Sequence, residues 1–300
     1  MAQIDVLIPH YNDIEGLELS LASVEAQDWN GEFRVVICDD GSDDANFDKI
    51  EPLTRSRRFE TVILRNETNR GRPYTRNVLL GAIASKYVCW LDAGDVWYPS
   101  KTRLQLEKLY KLKYEGVDTS RVWITCNYDW NWAGSQKKQL KKQVVDGDQI
   151  HHLFIGTRLR AYLWTLMGEA EAFKAIGGFD ERLRRLQDLD YFVRFVASGG
   201  KLHVPGGSQA LCVYFKSDVG RSGAEVRDCN RIILAKHRAI LETYGSAFIA
   251  NRAYDAEILA GRFARNGGDK RLARLCRARA FAIRPTRYVI ETIRRLKHGR

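Results

Sequence analysis

Short apolar runs alternate with amphipathic segments along the first half of the chain. Five runs have the composition of buried strands, at Ile4–Ile8, Arg34–Cys38, Thr61–Arg65, Tyr87–Leu91 and Val122–Asn127. Four segments between them space their apolar residues as helices do, at Ile14–Gln27, Asn46–Arg57, Thr75–Ala84 and Lys101–Lys113. Strands that alternate with helices in this way are typical of a largely parallel sheet with right-handed crossovers. We therefore predict an α/β fold with helices flanking the sheet.

The pattern changes twice further along the chain. The segment between Trp130 and Gln149 is polar, which predicts an exposed hairpin or loop, or a loop that closes over a ligand. A Gly-Gly-Phe-Asp turn at Gly177–Asp180 precedes a predicted helix from Leu186 to Ser198. From about Gly223 the chain consists of Arg-rich amphipathic segments. We predict two domains, residues 1–222 and a basic helical region at 223–300.

The positive charge of the protein is concentrated in this second region. Residues 224–300 contain 18 Lys and Arg against 7 Asp and Glu, which accounts for the whole formal net charge of +11. A basic helical region favours an anionic partner such as a membrane surface. A helical brace or a dimer contact is the alternative. Nucleic acid is not expected, because the chain has the charge but no recognisable reading motif.

Composition and cysteine spacing favour a folded protein of a reducing compartment. Of the 300 residues, 45% are hydrophobic, which is ample for a core. No apolar stretch approaches the roughly 20 residues of a membrane-spanning helix, and the first residues lack a basic leader. We therefore expect a cytoplasmic location. If the basic region binds lipid, the protein is expected to be peripheral to the membrane. The six cysteines are far apart and without a C-x-x-C pair, which indicates reduced core thiols rather than disulfides or zinc.

Two carboxylates follow the fourth apolar run. Asp92 and Asp95 lie at the end of the segment Y-V-C-W-L-D-A-G-D. The apolar run before them predicts a buried strand, so the two acids are expected at an edge of the sheet. Two acids in one turn can hold a hard divalent cation, since Mg²⁺ typically takes one or two carboxylates together with substrate phosphate oxygens. A solvated turn is the alternative interpretation, because Asp is common in turns.

Three further polar clusters follow other strands. They are P-H-Y-N-D at residues 9–13, D-D-G-S-D at 39–43 and N-R-G-R-P-Y-T-R-N at 69–77. The carboxyl ends of neighbouring parallel strands meet at one edge of a sheet, where a nucleotide can stack on Tyr11 and hydrogen-bond to an Asp carboxylate. Four such clusters after successive strands predict one shared ligand site.

With these motifs the chain resembles the family 2 glycosyltransferases of the GT-A fold. The resemblance rests on the four clusters and on G-G-F-D-E at 177–181 followed by Q-D-L-D-Y-F-V-R at 187–194, and it covers roughly residues 3–222. It implies transfer of a sugar from a nucleotide-diphosphate sugar, with inversion at the anomeric carbon. The resemblance further implies UDP as the expected nucleotide, with dTDP and GDP open, and Mn²⁺ or Mg²⁺ as cofactor.

The resemblance also implies roles for particular residues. The nucleotide-sugar site is expected to include Pro9, Tyr11, Asn12, Asp39, Asp40, Arg76, Asp92 and Lys216. Asp92 and Asp95 take the place of the metal motif, and Asp188 matches the base that deprotonates the acceptor hydroxyl. The chemistry itself requires such a carboxylate, since a sugar hydroxyl is a poor nucleophile. A helix-capping role is the alternative for Asp188.

The chain departs from the family pattern at three places. Gly94 stands where the family usually has its metal-binding Asp, and Gln187 stands where it often has Glu. Near Lys216 the chain has no replacement for a His found in many relatives. We expect an inverting glycosyltransferase that acts on a glycan or lipid-linked acceptor in cell-surface polysaccharide synthesis. The alternative is a non-catalytic relative that binds a nucleotide or glycan.

Overall fold

Contacts within the chain divide it into two units, one α/β and one that is helical in its described part. The computed structural model describes residues 4–132, 138–216 and 222–297. The first unit is drawn from residues 1–181 and 187–217, and the second from residues 182–186 and 218–300.

The first unit contains two sheets. Its strands are β1 (Ile4–His10), β2 (Phe33–Asp39), β3 (Glu60–Arg65), β4 (Tyr87–Trp90), β5 (Val96–Trp97), β6 (Val122–Ile124), β7 (Tyr128–Trp132), β8 (Lys138–Lys141), β9 (Met167–Glu169), β10 (Lys201–His203) and β11 (Cys212–Lys216). The main sheet has the order β10-β6-β9-β4-β1-β2-β3, and only β9 runs antiparallel to its neighbours. The smaller sheet has the order β5-β11-β7-β8. The α/β fold with a mostly parallel sheet is therefore confirmed.

Eight helices belong to the described part of this unit. They are α1 (Ile14–Glu25), α2 (Asp44–Phe47), α3 (Ile50–Arg55), α4 (Arg72–Gly81), α5 (Lys101–Tyr114), α6 (Gln149–Ile155), α7 (Ala170–Lys174) and α8 (Gln187–Ala197). Single 3-10 turns lie at Thr119–Arg121 and Leu163–Thr165. Strand β1 lies in the interior of the sheet and is buried along its whole length, so both faces of the sheet are covered at this strand.

The second unit is helical in its described part. Its helices are α9 (Gly223–Lys236), α10 (Arg238–Glu242), α11 (Ser246–Asn266), α12 (Lys270–Ile283) and α13 (Pro285–Lys297). Gly223 permits close packing of α9 on α11, because a Cβ at this position would lie 2.5 Å from the backbone nitrogen of Ala264. Val226, Ala260, Phe263 and Cys276 form the small core between these helices.

The predicted elements are present with shifted boundaries. The single helix predicted over Asn46–Arg57 is two short helices, α2 and α3. Pro52 explains the interruption, because proline lacks an N–H and its ring clashes with the carbonyl four residues earlier, so it is tolerated only in the first turn of α3. The polar segment after Trp130 contains the hairpin of β7 and β8. All six cysteines are free and buried.

Candidate active site

The four polar clusters lie at the carboxyl ends of β1, β2, β3 and β4. The register aligns His10 with Asp39, so the first two clusters begin side by side. Asn66 follows β3 and donates to Asp40 at 2.9 Å. Asp92 follows β4, whose residue Trp90 is aligned with Leu7 of β1. The order and direction of these strands therefore bring the four clusters to one edge of the sheet, as expected.

Asp39 is completely buried and its carboxylate is used within the protein. Its Oδ1 accepts from the Ser42 hydroxyl at 2.5 Å and from His10 Nδ1 at 2.9 Å, and its Oδ2 accepts from the Ser42 backbone N–H at 3.0 Å. His10 Nε2 accepts from the Asp13 backbone N–H, which fixes the tautomer with the proton on Nδ1. These bonds shape the loops that follow β1 and β2. The nucleotide contact expected of Asp39 stays a prediction.

Asp40 fixes the entry of α4. Its Oδ1 accepts from the backbone N–H of Arg70 at 2.9 Å, and its Oδ2 accepts from that of Gly71 at 2.8 Å. Gly71 has φ 87°, a conformation that glycine adopts without steric cost. Asp40 thereby determines where the first turn of α4 starts. Since α4 carries Arg76, Asp40 also helps to fix the position of that residue. The nucleotide contact expected of Asp40 stays a prediction.

Arg76 joins two of the carboxylates that the sequence placed in the site. Its guanidinium is fully buried; Nη2 donates to both oxygens of Asp92 at 2.8 and 3.0 Å, and Nη1 donates to Asp188 Oδ1 at 2.5 Å. Asp188 Oδ2 accepts from the Leu163 backbone N–H at 3.4 Å. The Asp92 and Asp188 side chains are only 22% and 19% exposed. The fold thus brings the expected base and the expected metal-site residue onto one cation.

Contacts of the α4 and α8 segments hold this arrangement. Asn77, next to Arg76, binds the backbone of Phe179 with both ends of its amide. Arg194 of α8 pairs with Asp190 at 2.9 Å and donates to the carbonyls of Ile176 and Gly178. The Gly-Gly-Phe-Asp turn is therefore hydrogen-bonded to both α4 and α8. Asp190 is buried and paired with Arg194 within the helix.

The residue just before α8 has an unusual backbone. Leu186 has φ 62°, in the left-handed region that costs a side chain such as leucine roughly 1–2 kcal/mol. Such outliers are concentrated at functional sites. Asp188 lies in the first turn of the helix that begins directly after it.

The charges around Arg76 shift the pKa values of three acids. Burial raises the pKa of Asp92, but the Arg76 and Arg72 guanidiniums outweigh it, so the net shift is downward. Burial and the negative charge of Asp92 raise the pKa of Asp188 despite Arg76. Burial and Asp92 raise the pKa of Asp95 well above its usual value. Asp92 therefore stays ionised, while Asp188 and Asp95 hold a proton more readily than ordinary carboxyls.

Arg72 is a site residue that the sequence analysis did not single out. It is the exposed first residue of α4, and its charge acts on Asp92, Asp95 and Asp188 together. The N-terminus of a helix also favours negative charge. The signal was present in the motif N-R-G-R-P-Y-T-R-N, which contains a second Arg before the proline.

The remaining expected nucleotide residues differ in accessibility. The Tyr11 ring is 49% exposed and free to stack on a base. Asn12 has φ 47° and is bound through its backbone N–H to Ser42. Pro9 is a buried residue of β1. Lys216 ends β11, and its side chain lies outside the described residues, as do Ser217 and Asp218.

The comparison with protein families decides which family these features represent. The sequence model described as glycosyl transferase family 2 matches residues 5–167, which include β4, α4 and the Asp92–Asp95 turn. This match extends over more than half of the chain. The protein belongs to glycosyl transferase family 2.

Relatives of this glycosyltransferase occur in bacteria and archaea. An uncharacterized glycosyltransferase of Methanocaldococcus jannaschii is 25% identical over 67% of this chain and 67% of its own length. The amylovoran biosynthesis glycosyltransferase AmsB of Erwinia amylovora is 30% identical over 63% of this chain and 62% of its own. The Escherichia coli UDP-Glc:alpha-D-GlcNAc-diphosphoundecaprenol beta-1,3-glucosyltransferase WfgD is 27% identical over 36% and 41%. The aligned parts thus span less than two thirds of the AmsB and WfgD lengths.

Solved structures show the same GT-A fold. S. aureus TarS 1–349 in complex with UDP-GlcNAc superposes with a TM-score of 0.62 at 16% identity, covering 99% of this glycosyltransferase and 92% of TarS 1–349. The mannosyltransferase PcManGT from Pyrobaculum calidifontis, in complex with GDP-Man and Mn²⁺, gives a TM-score of 0.59 at 16% identity, covering 98% and 80%. The sheet of the first unit is therefore a GT-A sheet.

The donor set at Asp92 and Asp95 is compatible with a divalent cation bound jointly with a substrate. No group in the described ranges donates a hydrogen bond to the Asp95 carboxyl, and its raised pKa reflects a buried acid without sufficient positive charge. No cluster of three or more His, Cys, Asp or Glu suited to a metal lies in the described ranges. Two carboxylates suffice when substrate phosphates complete the coordination of Mg²⁺.

The turn at Gly94 explains the departure from the family motif. Gly94 has φ 91°, and its backbone N–H donates to the Gly16 carbonyl and the Ser20 hydroxyl, each at 3.0 Å. A Cβ here would approach Asp13 Oδ2 to 3.5 Å. An Asp at this position would therefore be strained and would face another acid.

Proposed function

We propose that this glycosyltransferase moves a sugar from a UDP-sugar to a hydroxyl of a glycan or lipid-linked acceptor in cell-surface polysaccharide synthesis, with inversion at the anomeric carbon. The observation that carries the proposal is the buried Arg76, which links Asp188 to Asp92. TarS binds UDP and UDP-GlcNAc in solved structures, and WfgD is named for a diphosphoundecaprenol-linked acceptor, so both ligand classes occur among similar proteins.

Asp188 is the residue proposed to accept the proton of the acceptor hydroxyl. Its pKa is raised by burial and by Asp92, which makes its carboxylate a stronger base than an ordinary Asp. Arg76 orients one oxygen and the Leu163 N–H binds the other at longer range. The hydroxyl oxygen attacks the anomeric carbon as the bond to the diphosphate breaks, and the proton passes to Asp188. An inverting transfer needs no protein nucleophile.

The departing diphosphate gains negative charge and needs positive groups nearby. Arg72 supplies one, at the start of α4, where the helix dipole adds to its effect. Asp92 and Asp95 would hold Mn²⁺ or Mg²⁺ together with the donor phosphates. When bound, the cation supplies further charge neutralisation for the leaving group.

Two measurements test this function. Calorimetry with UDP, run with Mn²⁺ and again with EDTA, is expected to show metal-dependent binding. NMR of the transfer or hydrolysis product from an α-linked UDP-sugar is expected to show the β anomer first. Retention of the α configuration would contradict the proposed mechanism. UDP binding without any turnover of donor would favour the non-catalytic alternative.

We further propose that the second unit docks on anionic lipid through α13. Four apolar side chains of this helix are 45–79% exposed and lie along one face: Val289, Ile290, Ile293 and Leu296. Exposed arginines, Arg294 and Arg295, occupy the same helix. An apolar stripe beside basic residues binds anionic membrane surfaces by combining burial with electrostatic attraction. Within the described residues, no helix is both long and apolar enough to span a membrane.

Vesicle sedimentation tests the docking. The full chain is expected to bind vesicles that contain phosphatidylglycerol and to release them at high salt. Ile293→Glu with Leu296→Glu is expected to abolish binding, whereas Thr292→Glu, which adds charge beside the stripe, is expected to weaken it less. Equal binding by the double variant would contradict the assignment.

A further inference from the structure

An aromatic cluster adjoins the proposed base. The rings of Tyr162, Trp164 and Tyr214 stack with centroid distances of 5.2–5.7 Å, and Tyr128 packs edge-on against the first two. Leu163, between Tyr162 and Trp164, is the residue whose N–H donates to Asp188. The cluster is therefore connected through one backbone segment to the carboxylate that receives the acceptor proton.

Arg160 is a cation in this cluster without an acidic partner among the described residues. It is half-buried, lies 5.2 Å over the Trp130 ring and donates to the Tyr162 hydroxyl at 3.4 Å. A half-buried guanidinium that contacts an indole ring and a phenol hydroxyl can pair with an anion, and its planar fork matches phosphate oxygens.

A second polar group at the same place lacks a partner. Tyr128 is 1% exposed, and no described group hydrogen-bonds its hydroxyl. Arg160 and Tyr128 adjoin the same side chain, because Arg160 donates to the Tyr162 hydroxyl and the Tyr128 and Tyr162 ring centroids lie 5.5 Å apart. A buried donor without a partner costs free energy that a ligand oxygen would recover.

From this arrangement we propose that Arg160 and the Tyr128 hydroxyl bind a phosphate or diphosphate group of the acceptor, with Tyr162 and Tyr214 packing beside it. The inference rests on the proposed function, because it assigns the acceptor's anionic group to the neighbourhood of Asp188. The inference narrows the acceptor to molecules that carry a phosphate or diphosphate group, which excludes a neutral glycan.

Pyrophosphate titrated into UDP-saturated protein tests the inference on the full chain. UDP fills the donor diphosphate site, so pyrophosphate reports on a second anion site. Wild type is expected to bind it, and Arg160→Gln is expected to bind at least roughly tenfold more weakly, as for loss of a charged hydrogen bond. Arg158→Gln, an exposed arginine two residues away, is the matched control and is expected to bind as wild type does.

Further arms separate the possible outcomes. Tyr128→Phe removes only the hydroxyl, so it is expected to weaken pyrophosphate binding even if Arg160→Gln fails to fold. Equal pyrophosphate binding by wild type and both variants, or none by wild type, would overturn the inference. Arg160→Gln could instead lose UDP affinity by the same factor as pyrophosphate affinity, with an unchanged melting temperature. That result would assign Arg160 to the donor site and would also overturn the inference. If wild type bound no UDP, the proposed function would fail before this inference was reached.

Discussion

Arg76 and Asp188 lie 112 positions apart in the sequence and share a hydrogen bond of 2.5 Å in the centre of the site. The same guanidinium binds Asp92, so a single buried cation is shared by the proposed base and by a proposed metal-site acid. The relative positions of Asp188 and Asp92 therefore depend on α4.

Replacing Arg76 tests this dependence. Arg76→Gln leaves two nearly buried carboxylates without their cation, and we expect a stability loss of about 3–5 kcal/mol, as for a broken buried ion pair. Thermal or urea unfolding measures the change. The control Arg55→Gln removes an exposed pair with Glu51 and is expected to change stability by less than about 0.5 kcal/mol. A similarly small effect at Arg76 would contradict the bridge.

Asp95 predicts a particular pH dependence of stability. The pKa of Asp95 is higher in the folded protein than in the unfolded chain. Between those two pKa values the folded protein holds a proton that the unfolded chain has lost. Asp95 therefore destabilises the folded state increasingly as the pH rises through this range. We expect Asp95→Asn to be more stable than wild type at neutral pH, with the advantage shrinking toward about pH 4.

Melting curves between pH 4 and 8 measure the Asp95 effect. Mn²⁺ with UDP is expected to raise the melting temperature of wild type more than that of Asp95→Asn, since the variant lacks one proposed ligand. An advantage of Asp95→Asn that grew toward low pH would show that the direction of the pKa shift is wrong.

The Gly94 turn predicts that restoring the family's aspartate is unfavourable. Gly94→Ala is expected to cost roughly 1–2 kcal/mol because of the positive φ, and Gly94→Asp more, because its carboxylate faces Asp13. The two variants separate backbone strain from charge repulsion. Unfolding free energies of both, compared with wild type, decide the point; a Gly94→Asp variant as stable as wild type would require a different turn.

The fold was largely predictable because strand and helix signals are local. The alternation of apolar runs and the polar clusters at strand ends placed the α/β sheet and its ligand edge. Pro52 was also a local signal, and the helix it interrupts was nevertheless predicted as continuous.

The sequence predicted which residues belong to the candidate site better than it predicted the contacts between them. Arg76 was expected beside a nucleotide, and that contact stays a prediction. Its burial between Asp92 and Asp188 is a pairing that no sequence spacing encodes. The internal bonds of Asp39 and Asp40, and the left-handed Leu186, likewise depend on how separate loops meet in three dimensions.

Asp188 gives the most direct test of the account. Asp188→Asn keeps the size of the side chain but removes the base, so we expect sugar transfer to fall at least roughly 100-fold while UDP affinity, measured by calorimetry on the same preparation, stays near that of wild type. Glu181→Gln, a neighbouring acid outside the bridge, is the control. Loss of transfer with retained UDP binding is the predicted result, and near-normal transfer by Asp188→Asn would contradict the account.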